Sequence, residues 1–80
     1  MTVGDAVRER IRELCKEHGI TINGLCMLSG VTQSTISNIM IGRNHSVTVS
    51  TIKKLCDGLE ISIRDFFNSD RFDNLDQEVK

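Results

Sequence analysis

Between Thr21 and Gly42 the chain reads TINGLCMLSGVTQSTISNIMIG. Two short amphipathic runs, Thr21 to Ser29 and Thr32 to Ile41, are separated only by Gly30 and Val31. A connection that short permits a tight corner and little else, so the pattern predicts a helix-turn-helix. Thr21 and Thr32 are placed to cap the two helices, their hydroxyls accepting from free N–H groups of the first turn. Gly30 and Gly42 stand where each helix must stop. The residue after a helix commonly takes a positive φ, which costs a residue with a Cβ about 1 kcal/mol or more and costs Gly nothing. Leu25 and Leu28 mark the buried side of the first helix, Ile36, Ile39 and Met40 mark that of the second, and Val31 fills the corner. Their spacing of three and four is that of a helix face.

The rest of the second helix is informative because it carries no charge. Gln33, Ser34, Thr35, Ser37 and Asn38 collect on its outward, N-terminal part, where a merely solvated helix would more often carry Glu and Lys. Amides and hydroxyls are what base edges require. Gln or Asn pairs with adenine through N6 and N7, and Ser or Thr donates or accepts in the major groove. The competing reading is a polar surface helix in a bundle that binds nothing, since helix-turn-helix geometry also occurs there.

Eighty residues allow one small domain, which buries about 60 to 65% of the surface its unfolded chain exposes. The absence of Pro, six Gly and 39% hydrophobic residues fit an all-α chain with short connections. No segment approaches the roughly 18 to 20 apolar residues of a membrane span, and the start, MTVGDAVRER, lacks the apolar core of a secretion signal. The expected location is the cytoplasm, away from membranes. Cys15, Cys26 and Cys56 make an odd count and fall at apolar helical positions, where a free thiol behaves as a small hydrophobe. Cys15-x-x-His18, with Cys26 or Cys56 added, has the look of a metal site, but structural zinc generally takes two close ligand pairs and no second pair exists. Packing is the better account, and neither metal nor cofactor is expected.

A net charge of −1 hides an uneven distribution. From Gly19 to Cys56 there is no Asp or Glu, while Arg43, Lys53 and Lys54 lie inside that window, giving +3. From Asp65 to Lys80 five acids face two bases, a net of −3. A face clear of acids is what a polyanion demands, because phosphate contact is mainly electrostatic.

Taken in order, Thr2-Val3-Gly4-Asp5 forms a capping box that opens a first helix. Val7, Ile11, Leu14, Cys15 and His18 give its core stripe, with His18, at the end of the stripe, read as a boundary residue near the helix C-terminus. Arg8, Glu9, Arg12, Glu13, Lys16 and Glu17 alternate outside and are expected to pair at i,i+4, each pair adding a few tenths of a kcal/mol. Gly19 ends the helix, with Ile20 folding back over it. After the central motif, Arg43 to Val47 forms a polar loop. Thr48 caps a fourth helix with the stripe Val49, Ile52, Leu55, Cys56 and Leu59, and with Lys53 and Lys54 outward; its N-terminus is suited to a phosphate. Ser62 to Asp65 is a second capping box, opening a fifth helix in which Phe66 or Phe67 anchors the core. The domain is placed at residues 1–69 and an acidic tail at 70–80. Phe72, Leu75 and Val79 in that tail suggest a further helical turn or two docking on the domain or on a second subunit. No catalytic set is visible, so no enzyme activity and no small-molecule substrate are expected.

Through LCMLSGVTQSTISNIMIGRN and TVSTIKKLCDGLEISIRDFF the chain resembles the Cro/cI-type helix-turn-helix family of XRE-like transcriptional regulators. The resemblance spans roughly Val7 to Phe67, with Leu25, Gly30, Val31, Gln33, Ile36, Ile39, Gly42, Ile52, Leu55, Leu59 and Phe66 in register. It implies a five-helix, lambda-repressor-like DNA-binding domain whose third helix enters the major groove, usually as a homodimer on a pseudo-palindromic operator in double-stranded DNA, and most often a repressor. Carried over by position, Gln33, Ser34, Thr35, Ser37 and Asn38 are the candidate base-reading residues. Thr21, Asn23, Arg43, Asn44, His45, Thr48 and Lys53 are the candidate phosphate contacts. There are departures: Ile22 replaces a common phosphate-contacting Gln, and Cys26, Met40 and Val47 stand where Ala, Glu and Pro are frequent. With Ile22, Met27 and Ile41 apolar at positions usually polar, the alternative is an interaction module of the same fold that does not read DNA and binds protein through these residues or through the Phe72, Leu75, Val79 tail.

Overall fold

In the computed structural model, which describes residues 1–42 and 47–77, every helix opens on a hydroxyl. The described elements are α1 (Val3–His18), α2 (Ile22–Ser29), α3 (Gln33–Met40), α4 (Val49–Leu59) and α5 (Ile63–Phe67), followed by a 3₁₀ turn, Asp70–Phe72; there is no strand among the described residues. Thr2, Thr21, Thr32, Thr48 and Ser62 each accept from the backbone N–H three residues on. A cap of this kind is worth about 1 kcal/mol. Asp5 and Asp65 answer the first and last of them by accepting from the N–H groups of Thr2 and Ser62, completing both capping boxes. That hydrogen bond from Thr2, reinforced by Arg8, holds the Asp5 carboxyl below its ordinary pKa.

Helix ends follow from backbone conformation. Gly19 and Gly30 take the left-handed conformation after α1 and α2, and Ile20 donates to the Cys15 carbonyl and packs on the core. Glu60 does the same after α4 at φ 58°, the one non-glycine residue with positive φ among those described.

The core is built from Val7, Ile11, Leu14 and Cys15 of α1, Leu25 and Cys26 of α2, Val31, Ile36 and Ile39 of the corner and α3, Ile52, Leu55, Cys56 and Leu59 of α4, and Phe66 of α5. All three cysteines are free and buried, and burial pushes the Cys15 and Cys56 thiols up in pKa. Among the described residues no group of three or more His, Cys, Asp or Glu is placed to hold a metal.

Leu28 is 59% exposed, not part of the core side of α2. The buried face is Ile22, Leu25, Cys26 and Ser29, a three-and-four pattern centred between Leu25 and Cys26, which puts Leu28 beyond its edge. The small residues on that face matter. A Cβ on Gly58 of α4 would lie 2.9 Å from the Ser29 backbone, so α2 and α4 meet almost backbone to backbone there. Val49 is 67% exposed, at the opposite end of α4 from that crossing. His18 is exposed as well, its Nδ1 lying 2.9 Å from the Leu14 carbonyl; as the last residue of α1 it runs past the end of the core.

The charges outside α1 do not pair at i,i+4. At that spacing they are like-signed: Arg8, Arg12 and Lys16 form one row and Glu9, Glu13 and Glu17 another. The ion pairs made are at i,i+3, Arg8 with Asp5 at 2.6 Å and Arg10 with Glu13. Arg10 itself is buried, donating through Nε to the Phe66 carbonyl at 2.6 Å and through Nη2 to that of Asp65 at 2.7 Å. It ties α1 to the end of α5.

Past α5 the chain returns along α1. Phe72 packs on the core and stacks edge-on against Phe67, ring centroids 4.9 Å apart. Arg71 reaches Glu13 at 3.1 Å, and Asp76 meets the N-terminal ammonium at 3.3 Å. Among the described residues the tail contributes one helical turn, the 3₁₀ turn Asp70–Phe72, which docks on the domain through Phe72. Leu75 is half-buried, and Val79 lies outside the described residues.

Candidate nucleic-acid interface

The corner between α2 and α3 is three residues long, and each has a task. Gly30 supplies a φ of 72°, Val31 inserts into the core, and Thr32 caps α3. The Ser29 hydroxyl braces it, donating to the Leu25 carbonyl at 2.7 Å and accepting from the Val31 N–H at 3.3 Å. Ile36 and Ile39, both buried, then fix which side of α3 faces the core. What is left outward is polar and uncharged.

The base-reading candidates therefore share one face of one helix. Gln33, Ser34 and Ser37 are exposed, and Thr35 and Asn38 half-buried. They are not equally free. Thr32 donates its hydroxyl hydrogen to the Thr35 hydroxyl at 2.9 Å, which ties Thr35 to the cap. Gln33 Nε2 donates to Asn23 Oδ1 at 2.9 Å, joining the first turns of α2 and α3. An amide held this way keeps its carbonyl oxygen and its second N–H for another partner. The ten-residue separation of this pair conceals it in the sequence; only the three-residue corner brings the two helix starts together.

The phosphate-contact candidates come from several elements, and Asn23, bonded to Gln33, is exposed in the first turn of α2. Thr21 and Thr48 are exposed caps at the N-termini of α2 and α4, with Thr48 also donating to the Thr51 hydroxyl at 3.0 Å. Lys53 makes an i,i+4 ion pair with Asp57, so the first acid after the acid-free window sits against its charge. Arg43, Asn44 and His45 lie outside the described residues. Of the apolar departures, Met27 and Ile41 are 86% and 63% exposed, whereas Ile22 is half-buried against the core. Its apolar side chain belongs to the buried face of α2.

Comparison with known proteins agrees with this geometry. Residues 10–70 match the Cro/C1-type HTH DNA-binding domain. Over 53 residues the chain is 36% identical to a Bacillus subtilis protein described as the uncharacterized HTH-type transcriptional regulator RghRB, covering 66% of this chain and 38% of that relative. The chain therefore spans well under half the length of this curated relative. Among solved structures, that of the prophage Lp1 protein 11 superposes with a TM-score of 0.79 at 39% identity, covering 86% of this chain and 91% of the other. No helix of the described residues is long and apolar enough to cross a membrane.

Proposed function

The chain belongs to the Cro/C1-type helix-turn-helix DNA-binding family, and from that premise we propose that it is a sequence-specific transcriptional regulator, acting as a repressor, that reads double-stranded DNA through the major groove with α3. The observation that carries the reading is Gln33. It is the first residue of α3, exposed, with its amide oriented by Asn23. Its free carbonyl oxygen and N–H are the pair that bidentate recognition of adenine N6 and N7 uses. Ser34, Ser37 and Asn38 present further donors and acceptors alongside. Thr35, held by Thr32, serves chiefly to brace the helix start. Thr21, Asn23, Thr48 and Lys53, with Arg43, Asn44 and His45, supply phosphate contacts on either side. The protein acts as a homodimer in the cytoplasm, because one eight-residue helix reads only a half-site and two-fold pairing doubles the information.

Selection of bound duplexes from a random library tests this reading. Enrichment of a pseudo-palindrome with half-site centres about 10 to 10.5 base pairs apart supports a dimer reading two half-sites. No enrichment, with binding that vanishes at moderate salt, contradicts sequence reading. The exposure of Met27 and Ile41 favours one second reading, in which the same fold binds protein and does not read DNA; under it no duplex is selected, and Ile41→Glu removes partner binding while leaving the fold intact.

A further inference from the structure

The charged residues of α1 are sorted by sign. Arg8, Arg12 and Lys16 recur every four residues on one row, and Glu9, Glu13 and Glu17 on the next. Every i,i+4 neighbour in a row is like-signed, an arrangement that costs helix stability a few tenths of a kcal/mol per pair. At i,i+3 the rows oppose each other, Glu9 with Arg12 and Glu13 with Lys16, yet neither pair closes to within 4 Å among the described residues, so the charge of Arg12 and Lys16 is not used within α1.

The two rows face different parts of the molecule. The acidic row looks toward the C-terminal segment, where Glu13 takes Arg71 at 3.1 Å. The basic row borders the end of α3. Arg12 Nη2 lies 3.5 Å from the Met40 carbonyl, and Arg8 Nη1 lies 3.2 Å from where a Cβ on Gly42 would sit. Arg12 and Lys16 are exposed, and neither has an acidic partner within 4 Å among the described residues. A shallow groove runs along both rows, lined by Arg8, Glu9, Arg12, Glu13, Lys16 and Arg71.

We propose that Arg8, Arg12 and Lys16 form a further row of contacts to DNA phosphates, flanking the far end of the reading helix. This rests on the reading above, in which α3 enters the major groove. An eight-residue helix rises about 12 Å, roughly the width of that groove. When its first turn meets base edges, its last turn is at the groove wall, where phosphates stand in line. Arg12, at the Met40 carbonyl, and Arg8, beside Gly42, border that end of α3, and Lys16 continues their row. The sorting then has a function: the positive row lies on the side of α3, and Glu13 of the negative row is neutralised by Arg10 and Arg71.

The test follows affinity against salt for the selected duplex, comparing the unmodified protein, the double variant Arg12→Gln/Lys16→Gln, Arg12→Lys, and Glu17→Gln from the acidic row. The double variant is expected to lower the magnitude of the log-affinity against log-salt slope by about 2, roughly 0.9 per lost phosphate contact, with base preference and melting temperature unchanged. Arg12→Lys keeps the charge and is expected to keep the slope, as is Glu17→Gln. An unchanged slope in the double variant overturns the proposal and points to an acidic protein as the partner of this row. Altered base preference overturns it too, by placing the row at base edges. Absence of DNA binding by the unmodified protein overturns the DNA reading, and this row with it.

Discussion

Two polar constellations on this small domain are handled in opposite ways. Arg10 is satisfied internally: its guanidinium donates to the Phe66 and Asp65 carbonyls and to Glu13, and the one buried donor left without a partner among the described residues is the neighbouring Arg71 Nε. On α3 Gln33, Ser34 and Ser37 are exposed; Gln33 is held at one atom by Asn23, and the two serine side chains have no hydrogen-bond partner among the described residues. Buried polar groups must be satisfied because an unmet one costs about 1 to 3 kcal/mol. Exposed ones on a rigid helix carry no such demand and remain available to a ligand. The first region is scaffold, and the second is where recognition is possible.

If that division is right, the largest loss of stability comes from Arg10. Arg10→Met keeps the apolar stem but strips the Phe66 and Asp65 carbonyls and Glu13 of their donor, and should cost about 2 to 4 kcal/mol in chemical denaturation. A loss under about 1 kcal/mol would mean that α5 is held by its aromatics alone. Next is the crossing of α2 and α4. Gly58→Ala gains about 1 kcal/mol in helix propensity but forces a Cβ onto the Ser29 backbone, for a net loss of about 1 to 2 kcal/mol.

Acid should act on the scaffold in the same sense. Arg10 first, then Arg71, hold the Glu13 carboxyl below its ordinary pKa, and the Thr2 backbone with Arg8 does the same for Asp5. A folded-state pKa below the unfolded one gives stability that is complete above the unfolded value of about 4 and is lost as pH falls through the folded value. Melting temperature should therefore hold from pH 7 to 5 and decline below 4, with a shallower decline in Glu13→Gln. The smallest effect belongs to the reading face. Ser34→Ala and Ser37→Ala should change stability by no more than about 0.5 kcal/mol; a larger loss from either would erase the distinction between the two regions.

Much of this architecture was legible because it is local. Capping hydroxyls at Thr2, Thr21, Thr32, Thr48 and Ser62, and the glycine stops at 19 and 30, act within a few residues of themselves, so the five helices follow from short motifs. The outward set on α3 was legible by subtraction once Ile36 and Ile39 had fixed its inner side. Long-range features were not. Arg10 looks like one more surface charge until α5, more than fifty residues away, supplies carbonyls for it. Leu28 reads as core because leucine is apolar, yet burial on α2 is decided by where α4 crosses, and that depends on Gly58 meeting Ser29. The charges of α1 suggested mutual support, whereas their spacing sorts them by sign. Within the candidate interface, the residue types were readable and the Asn23–Gln33 bond was not, since it depends on how two helix starts meet.

The central claim, that α3 reads bases from a scaffold that does not, is tested most directly by titrating Gln33→Ala against its selected duplex and a random one. Loss of one bidentate base contact should weaken binding to the selected site by about 1 to 3 kcal/mol, relax preference at one base pair and leave random-duplex affinity unchanged. Equal losses on both duplexes would contradict the claim, placing Gln33 on the phosphate backbone and base reading elsewhere.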